Sequence, residues 1–418
     1  MPDDAPLTRR TVLQTSCAAA GIAVLGSGAA SLPESDETTS DGTDLATTTD
    51  WPQLQGNAAK TGVAGGGPAS ATVRWEHGAD GREYHQPAVR GDSLYVSYAS
   101  DDPGDTASGV VALTTDGQRR WAFETEPDTE LLSDTAVGDG LVFVAGQSSD
   151  ASECDTSTDN VGVLLALDAE TGEEVYRRVV AGWFADTPTV ADGSVYVVVP
   201  GQTQGDGTLV AFDAETGEEQ WRYNTGPYGS SSYTAPPVAV DDGIVYVAAM
   251  GMAALDAETG SVVWERGDID SLKSHSDNAP AVRDGTVYIG TGGYGGTLYA
   301  LSAKDGSTEW TFESGSEQFS SAAITSETVY VSVTAIDDPP EGTYALSTED
   351  GSEQWFQTDV AVTEAPIRGD QYLYAGRDAL AVEDGSIAWS VEGEHENTAV
   401  AGDTLYPGGE SVVAVGEE

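Results

Sequence analysis

The chain has 418 residues, with 70 Asp and Glu against 17 Lys and Arg and a formal net charge of −53. No basic patch exists to meet phosphates, which excludes nucleic acid as a partner, and 50 glycines with few aromatics favour short strands and turns over long helices. Charge of this size repels itself in dilute buffer and is screened in molar salt, where the Debye length falls to ~3 Å, so the composition reads as salt adaptation.

The N-terminal segment, 1–30, contains Thr8-Arg9-Arg10-Thr11-Val12-Leu13 and then a mildly apolar Ala/Gly-rich stretch from Val12 to Leu32. Paired arginines before an apolar residue resemble a twin-arginine export signal, with Gly28-Ala29-Ala30 as small residues for cleavage. A retained membrane anchor is the other reading of the same segment, and its Gln, Ser, Thr and Gly content makes it a poor lipid span. Residues 31–50 form an acidic Ser/Thr-rich spacer that holds no core. The implied location is outside the cell or at its surface, and the acidic composition together with this signal resembles haloarchaeal exported proteins. Of the two cysteines, Cys17 lies in the export segment, so a mature chain keeps Cys154 alone and no internal disulfide.

From residue 51 to 418 a repeat governs the pattern. Leu165-Ala166-Leu167-Asp168-Ala169-Glu170-Thr171-Gly172 leads to Tyr176, Val210 to Gly217 leads to Trp221, and Ala254 to Gly260 leads to Trp264. Looser copies lead to Trp310 and Trp355, and the weakest end at Trp121 and Trp389. In each, an alternating strand meets a tight Asp-x-x-Thr-Gly turn, and a second strand begins with the aromatic residue, expected to pack back over that turn. Two more strands stand upstream, joined by Gly-Asp or Asp-Gly as at Gly91-Asp92, Asp192-Gly193 and Asp284-Gly285. Four antiparallel strands recurring at this spacing make one propeller blade. The C-terminus supplies three strands without a Trp strand, and Thr72-Val73-Arg74-Trp75-Glu76 is a Trp strand without a blade. Joining them predicts a single all-β, eight-bladed propeller closed by an N-terminal strand, a monomer with no open sheet edge at the seam. The lead-in Trp51-Pro52-Gln53-Leu54-Gln55-Gly56-Asn57 is expected against the rim near that seam.

The Ala-x-Asp-x-x-Thr-Gly-x-x-x-Trp pattern at Ala166 to Tyr176, Ala211 to Trp221 and Ala254 to Trp264 resembles the tryptophan-docking motif of the PQQ-like propeller family, over roughly residues 51 to 418. That family holds quinone-dependent dehydrogenases and cofactor-free scaffolds alike. The dehydrogenases carry adjacent cysteines above the quinone, a Trp below it, and Ca²⁺ on acid and amide side chains. Adjacent cysteines are absent here, so the resemblance runs to the non-enzymatic, BamB-like branch of outer-membrane assembly propellers. The expectation is a secreted binding scaffold with no cofactor, whose partner is a protein or small ligand. The alternative is an enzyme in the central funnel, either dependent on PQQ with Ca²⁺ or a hydrolase or lyase.

Few residues carry chemistry of their own. His77, His85, His275 and His395 lack close metal spacing, although the last three each precede a first strand. Gly290 to Thr297 has no Gly-Lys-Ser/Thr end and reads as a hairpin, not a phosphate loop. The Asp-rich loops at Asp101 to Asp105 and Asp150 to Asp159 are either solvated surface or cation sites. A ligand at the funnel mouth would meet Tyr84, His85, Trp183, Phe184, Tyr233, His275, Asn278, Phe319, Glu364 and His395, aromatic and hydrogen-bonding side chains mixed as in binding sites. The same residues otherwise line a wet funnel.

Overall fold

In a computed structural model the structure describes residues 50–78, 81–100, 107–150, 160–180, 182, 184–200, 206–227, 236–249, 251–269, 278–291, 296–315, 318–334, 341–360, 365–391 and 396–417. Eight antiparallel sheets follow one another around a ring. Within each, the first strand is short and innermost, and the fourth, carrying the aromatic residue, is outermost. The inner strand of blade 1, Ala88–Arg90, adjoins that of blade 2, Ala136–Gly138, and the contact passes from blade to blade. The last sheet pairs Glu396–Ala401, Thr404–Gly408 and Ser411–Gly416 with the N-terminal strand Thr72–Gly78, so the eighth blade closes as the sequence implies. Blades 1, 2 and 6 split the inner strand in two, as at Arg82–Tyr84 and Ala88–Arg90. Gly290 and Thr297 belong to antiparallel partners, Thr286–Gly290 and Thr297–Ser302. Among the described residues no helix is long and apolar enough to cross a membrane.

Local chemistry sets these hairpins. The turns between first and second strands at Asp139-Gly140, Asp192-Gly193, Asp242-Gly243 and Asp284-Gly285 place both residues at positive φ. Such turns match the right-handed twist of the strands they join. At the turn between third and fourth strands, the Asp168 carboxylate accepts from the Thr171 backbone N–H at 2.8 Å and its hydroxyl at 2.9 Å, and Asp213 and Asp256 do the same with Thr216 and Thr259.

On seven of the eight fourth strands the aromatic residue lies over the turn of the following blade, which corrects the expectation that it packs over its own. The indole N–H of Trp121 donates to Ala169 O at 3.0 Å, Trp221 to Ala257 O at 2.8 Å, Trp264 to Ala303 O at 2.8 Å and Trp310 to Thr348 O at 2.8 Å. Trp75, Trp355 and the Tyr176 hydroxyl make the same bond. The turn ends in Gly because the ring occupies the space: a Cβ on Gly260 would stand 2.6 Å from Trp221. A tyrosine on the second strand of the same blade stands beside most of these rings, with centroids 5.8 Å apart for Tyr196 and Trp221 and 6.1 Å for Tyr246 and Trp264. Trp389 differs. The turn it would need is the one the chain never makes, because strands Ser411–Gly416 and Thr72–Gly78 are not joined, and its buried indole N–H has no acceptor.

The lead-in does not pack against the rim. It enters the axis and makes a circuit of the ring. Trp51 exchanges both backbone bonds with Val89 of blade 1, at 2.9 and 2.7 Å, and Val137 N of blade 2 donates to Pro52 O at 2.7 Å. The Gln53 amide brackets Val190 of blade 3 through two 3.0 Å bonds. Val240, Val282 and Ile324 of blades 4, 5 and 6 donate to the carbonyls of Ala58, Ala59 and Thr61, each at 2.8 Å. Arg368 of blade 7 donates to Gly62 O at 2.9 Å, and Gly67 N reaches Gly402 O of blade 8 at 2.7 Å. The innermost strand of every sheet is an edge whose N–H and C=O face the channel, and buried backbone groups require partners. The lead-in supplies them.

The indole bonds can be separated from ring burial by replacing Trp with Phe. Trp310→Phe removes a made bond and should cost about 1 kcal/mol more than Trp389→Phe, which removes none. Equal losses in urea unfolding of the two variants would show that the carbonyl contact carries no stability.

Candidate functional site

The funnel mouth is expected at the residues that precede each inner strand. Of those expected there, Trp183, Tyr233, His275, Glu364 and His395 lie outside the described residues, as do the segments 101–106 and 151–159 and both cysteines. Tyr84 is interior. It pairs with Gly409 across the seam, and its ring stands 5.8 Å from that of Tyr98. Phe319 is fully buried between blades against Phe312. Neither side chain lines the mouth, because each fills the wedge between two sheets that diverge from the axis. Phe184 is half-buried, and its backbone lies against Gly162 of blade 2.

Asn278 is buried and bridges blades 5 and 6, its amide donating to Gly290 O at 2.7 Å and Phe319 O at 3.0 Å. Its amide oxygen has no partner. His85 places Nδ1 3.0 Å from the Ser97 hydroxyl, which donates to Ser133 O at 2.5 Å. With the hydroxyl proton committed to Ser133, Nδ1 is the donor, and the ring is a neutral imidazole. Burial pushes its pKa down to about 4, against a smaller opposing effect of the Ser133 backbone.

A second set of residues escaped the sequence reading. The Gln86 backbone N–H donates to the Asp134 carboxylate at 2.9 Å, Asp134 N–H to the Thr187 hydroxyl at 3.3 Å, and Ala279 N–H to the Ser321 hydroxyl at 2.8 Å. Gln86 also donates from its amide to Thr398 O of blade 8. Gln86, Asp134, Thr187 and Ser321 each stand two residues before the first residue of an inner strand, at Ala88, Ala136, Thr189 and Ala323. That fixed offset of a polar side chain from the strand was the available signal. These bonds bind blade to blade around the mouth.

At the axis, Lys60 of the lead-in is wholly buried, and its ammonium reaches Leu54 O at 3.2 Å. Burial lowers its pKa to about 7, with the Asp134 carboxylate opposing. The Gln55 amide oxygen, also buried, is unpartnered.

The propeller's resemblance to quinoproteins asks whether a quinone fits. Among the described residues no group of three or more His, Cys, Asp or Glu is placed to hold a metal ion. Trp75, Trp121, Trp221, Trp264, Trp310, Trp355 and Trp389 stand on outer strands, and Trp51 packs on Val89 and Gly56. The residues described therefore do not supply the quinone-and-calcium set.

A closed ring of eight four-stranded blades, with an aromatic residue of one blade over the turn of the next, defines a PQQ-like propeller. The family described as outer membrane protein assembly factor BamB matches at 106–267, 205–375 and 251–418, well over half of the chain, and the chain belongs to it. It is 25% identical over 302 residues to BamB of Yersinia pestis, covering 70% of this chain and 71% of that one. The crystal structure of BamB from Moraxella catarrhalis superposes with a TM-score of 0.61 at 19% identity, covering 84% of this chain and 98% of that one. Quinohemoprotein alcohol dehydrogenase from Comamonas testosteroni superposes at 0.66 with 14% identity, covering 90% and 82%. At such identities the solved structures share the fold, and scaffold and enzyme are both among them.

Lys60 makes stability pH-dependent in a defined direction. Its pKa falls from 10.5 unfolded to about 7 folded, so between these values the unfolded chain binds more protons and stability rises with pH. Buried tyrosines such as Tyr288, raised from 10.0 to about 12, begin to oppose this only near pH 10. Urea midpoints should climb from pH 7 to pH 9, and Lys60→Met should flatten the climb while raising stability at pH 7. A climb that survives Lys60→Met would place its origin elsewhere.

Proposed function

We propose that the chain is an exported, salt-adapted propeller scaffold that captures a protein partner on its mouth face. The observation that carries the reading is the lead-in. Where a funnel enzyme presents its inner strands to a ligand, this chain engages the inner end of every blade in turn through hydrogen bonds from its own residues 51–67. Function then falls to the faces and rims. The BamB relatives are named as assembly factors for outer membrane proteins, a role that is work on other proteins. The paired arginines Arg9-Arg10 and the acidic spacer support export, and the net charge of −53 supports folding in high salt.

Cross-linking and pull-down from cell-surface extract in high salt should recover a protein. Capture should fail for the double variant Trp183→Ala, His275→Ala while its melting midpoint stays unchanged. Retained capture would remove the mouth from consideration. Turnover or a quinone absorbance band after incubation with PQQ and Ca²⁺ would instead favour the funnel enzyme. Separately, melting midpoints in about 0.1 M and about 3 M KCl should differ widely, because only the higher salt shortens the Debye length enough to screen the charge. Coincident midpoints would remove the salt-adapted part of the proposal.

A further inference from the structure

The lead-in is bonded to every blade, yet two of its own residues oppose its seat at the axis. Gln55 and Lys60 both take left-handed backbone angles, with φ of 57° and 58°, a strained setting for any residue with a Cβ. Both are buried. The Gln55 amide oxygen has no hydrogen-bond partner there. The Lys60 side chain turns back on its own segment, where its ammonium donates to Leu54 O at 3.2 Å. An ammonium has three N–H donors, and among the described residues that carbonyl is its one acceptor. Buried in this way, the group is costly when charged and far less so when neutral.

Lys60 is the only charged residue between Trp51 and Gly67. Among the described residues the charge that acts on it is the Asp134 carboxylate of blade 2, which favours the protonated amine. Arg90, Asp241, Arg283 and Arg368, on the inner strands that receive the lead-in, do not act on it. Burial outweighs Asp134 and lowers the pKa to about 7. Leaving the axis would return Lys60 to water and relax both backbone angles. The bonds given up are to inner-strand edges, so each sheet keeps its own ladder, and Thr72–Gly78 stays paired in blade 8 as a tether.

From this arrangement we infer that residues 51–67 are a proton-operated strap: a neutral Lys60 holds them on the eight inner edges, and protonation of its amine frees them locally while the blades stay folded. Between pH 7 and 10.5 the freed amine binds a proton that the seated one lacks. Opening therefore grows about tenfold for each pH unit lost in that range, and it levels off below pH 7. Each opening bares the axis and the edges of the inner strands to solvent.

The test is hydrogen exchange of the whole chain at constant salt, each rate divided by that of the unstructured amide at the same pH. The reporters are the N–H groups of Val137, Val240, Val282 and Ile324, which donate to lead-in carbonyls. The reference is the second strands Ser194–Val199 and Thr328–Thr334, paired on both sides. The reporters should exchange at least about tenfold faster than the reference at pH 7, as a unit that opens without global unfolding does. They should slow by close to tenfold for each unit from pH 7 to pH 9. Lys60→Met should remove that slope. Asp134→Asn keeps an oxygen for the Gln86 N–H but removes the charge that favours protonated Lys60, so its slope should continue below pH 7, where the wild type levels off. Reporters that exchange only at the reference rate would show lead-in and blades opening together and would overturn the strap. A slope that survives Lys60→Met would overturn Lys60 as the proton site, and an Asp134→Asn profile identical to that of the wild type would overturn its coupling to Asp134.

Discussion

Every sheet in a ring of blades has an inner edge, and that edge is the constraint on which this structure depends. Eight short strands turn backbone N–H groups toward a narrow axis. Water can answer them only if the axis stays wet, and a ligand only if one is present. Here the answer comes from the chain itself: residues 51–67 lie at the axis and hydrogen-bond to Val89, Val137, Val190, Val240, Val282, Ile324 and Arg368 in chain order. The same segment carries Lys60 and Gln55 inside, so the hub is polar at its centre and held by its periphery.

Between blades the restraint is different in kind. An aromatic ring on one blade covers the turn of the next, and its N–H or O–H engages a carbonyl there. Farther in, side chains placed two residues before the inner strands take N–H groups from the preceding blade. The ring is therefore tied at three radii: at the axis by the lead-in, near the mouth by polar side chains, and at the periphery by aromatic residues.

The ring and its closure were legible because they are repeated. Strand alternation, the Asp-x-x-Thr-Gly turn and the orphan Trp75 strand each state a local rule that the tertiary structure obeys. What was not legible was single and non-periodic. The lead-in has no alternation, and its pairing follows from groups on eight distant strands, so the sequence around Trp51 could not announce it. Tyr84 and Phe319 were expected at the mouth because their positions precede inner strands. Diverging sheets need bulky side chains near the rim, and that wedge claimed both. Gln86 and Asp134 were passed over because a lone polar residue before a strand looks like a loop residue.

The unanswered indole of Trp389 and the lead-in at the axis both follow from one feature of the chain's path. A turn joining Ser411–Gly416 to Thr72–Gly78, like those of the other blades, would offer Trp389 its carbonyl. Opening the circle at that turn frees a segment that visits each blade once. Its contacts advance with the chain, from Trp51 at blade 1 to Gly67 at blade 8. The lead-in thus keeps step with the ring, its backbone advancing along the chain as the blades advance around the axis.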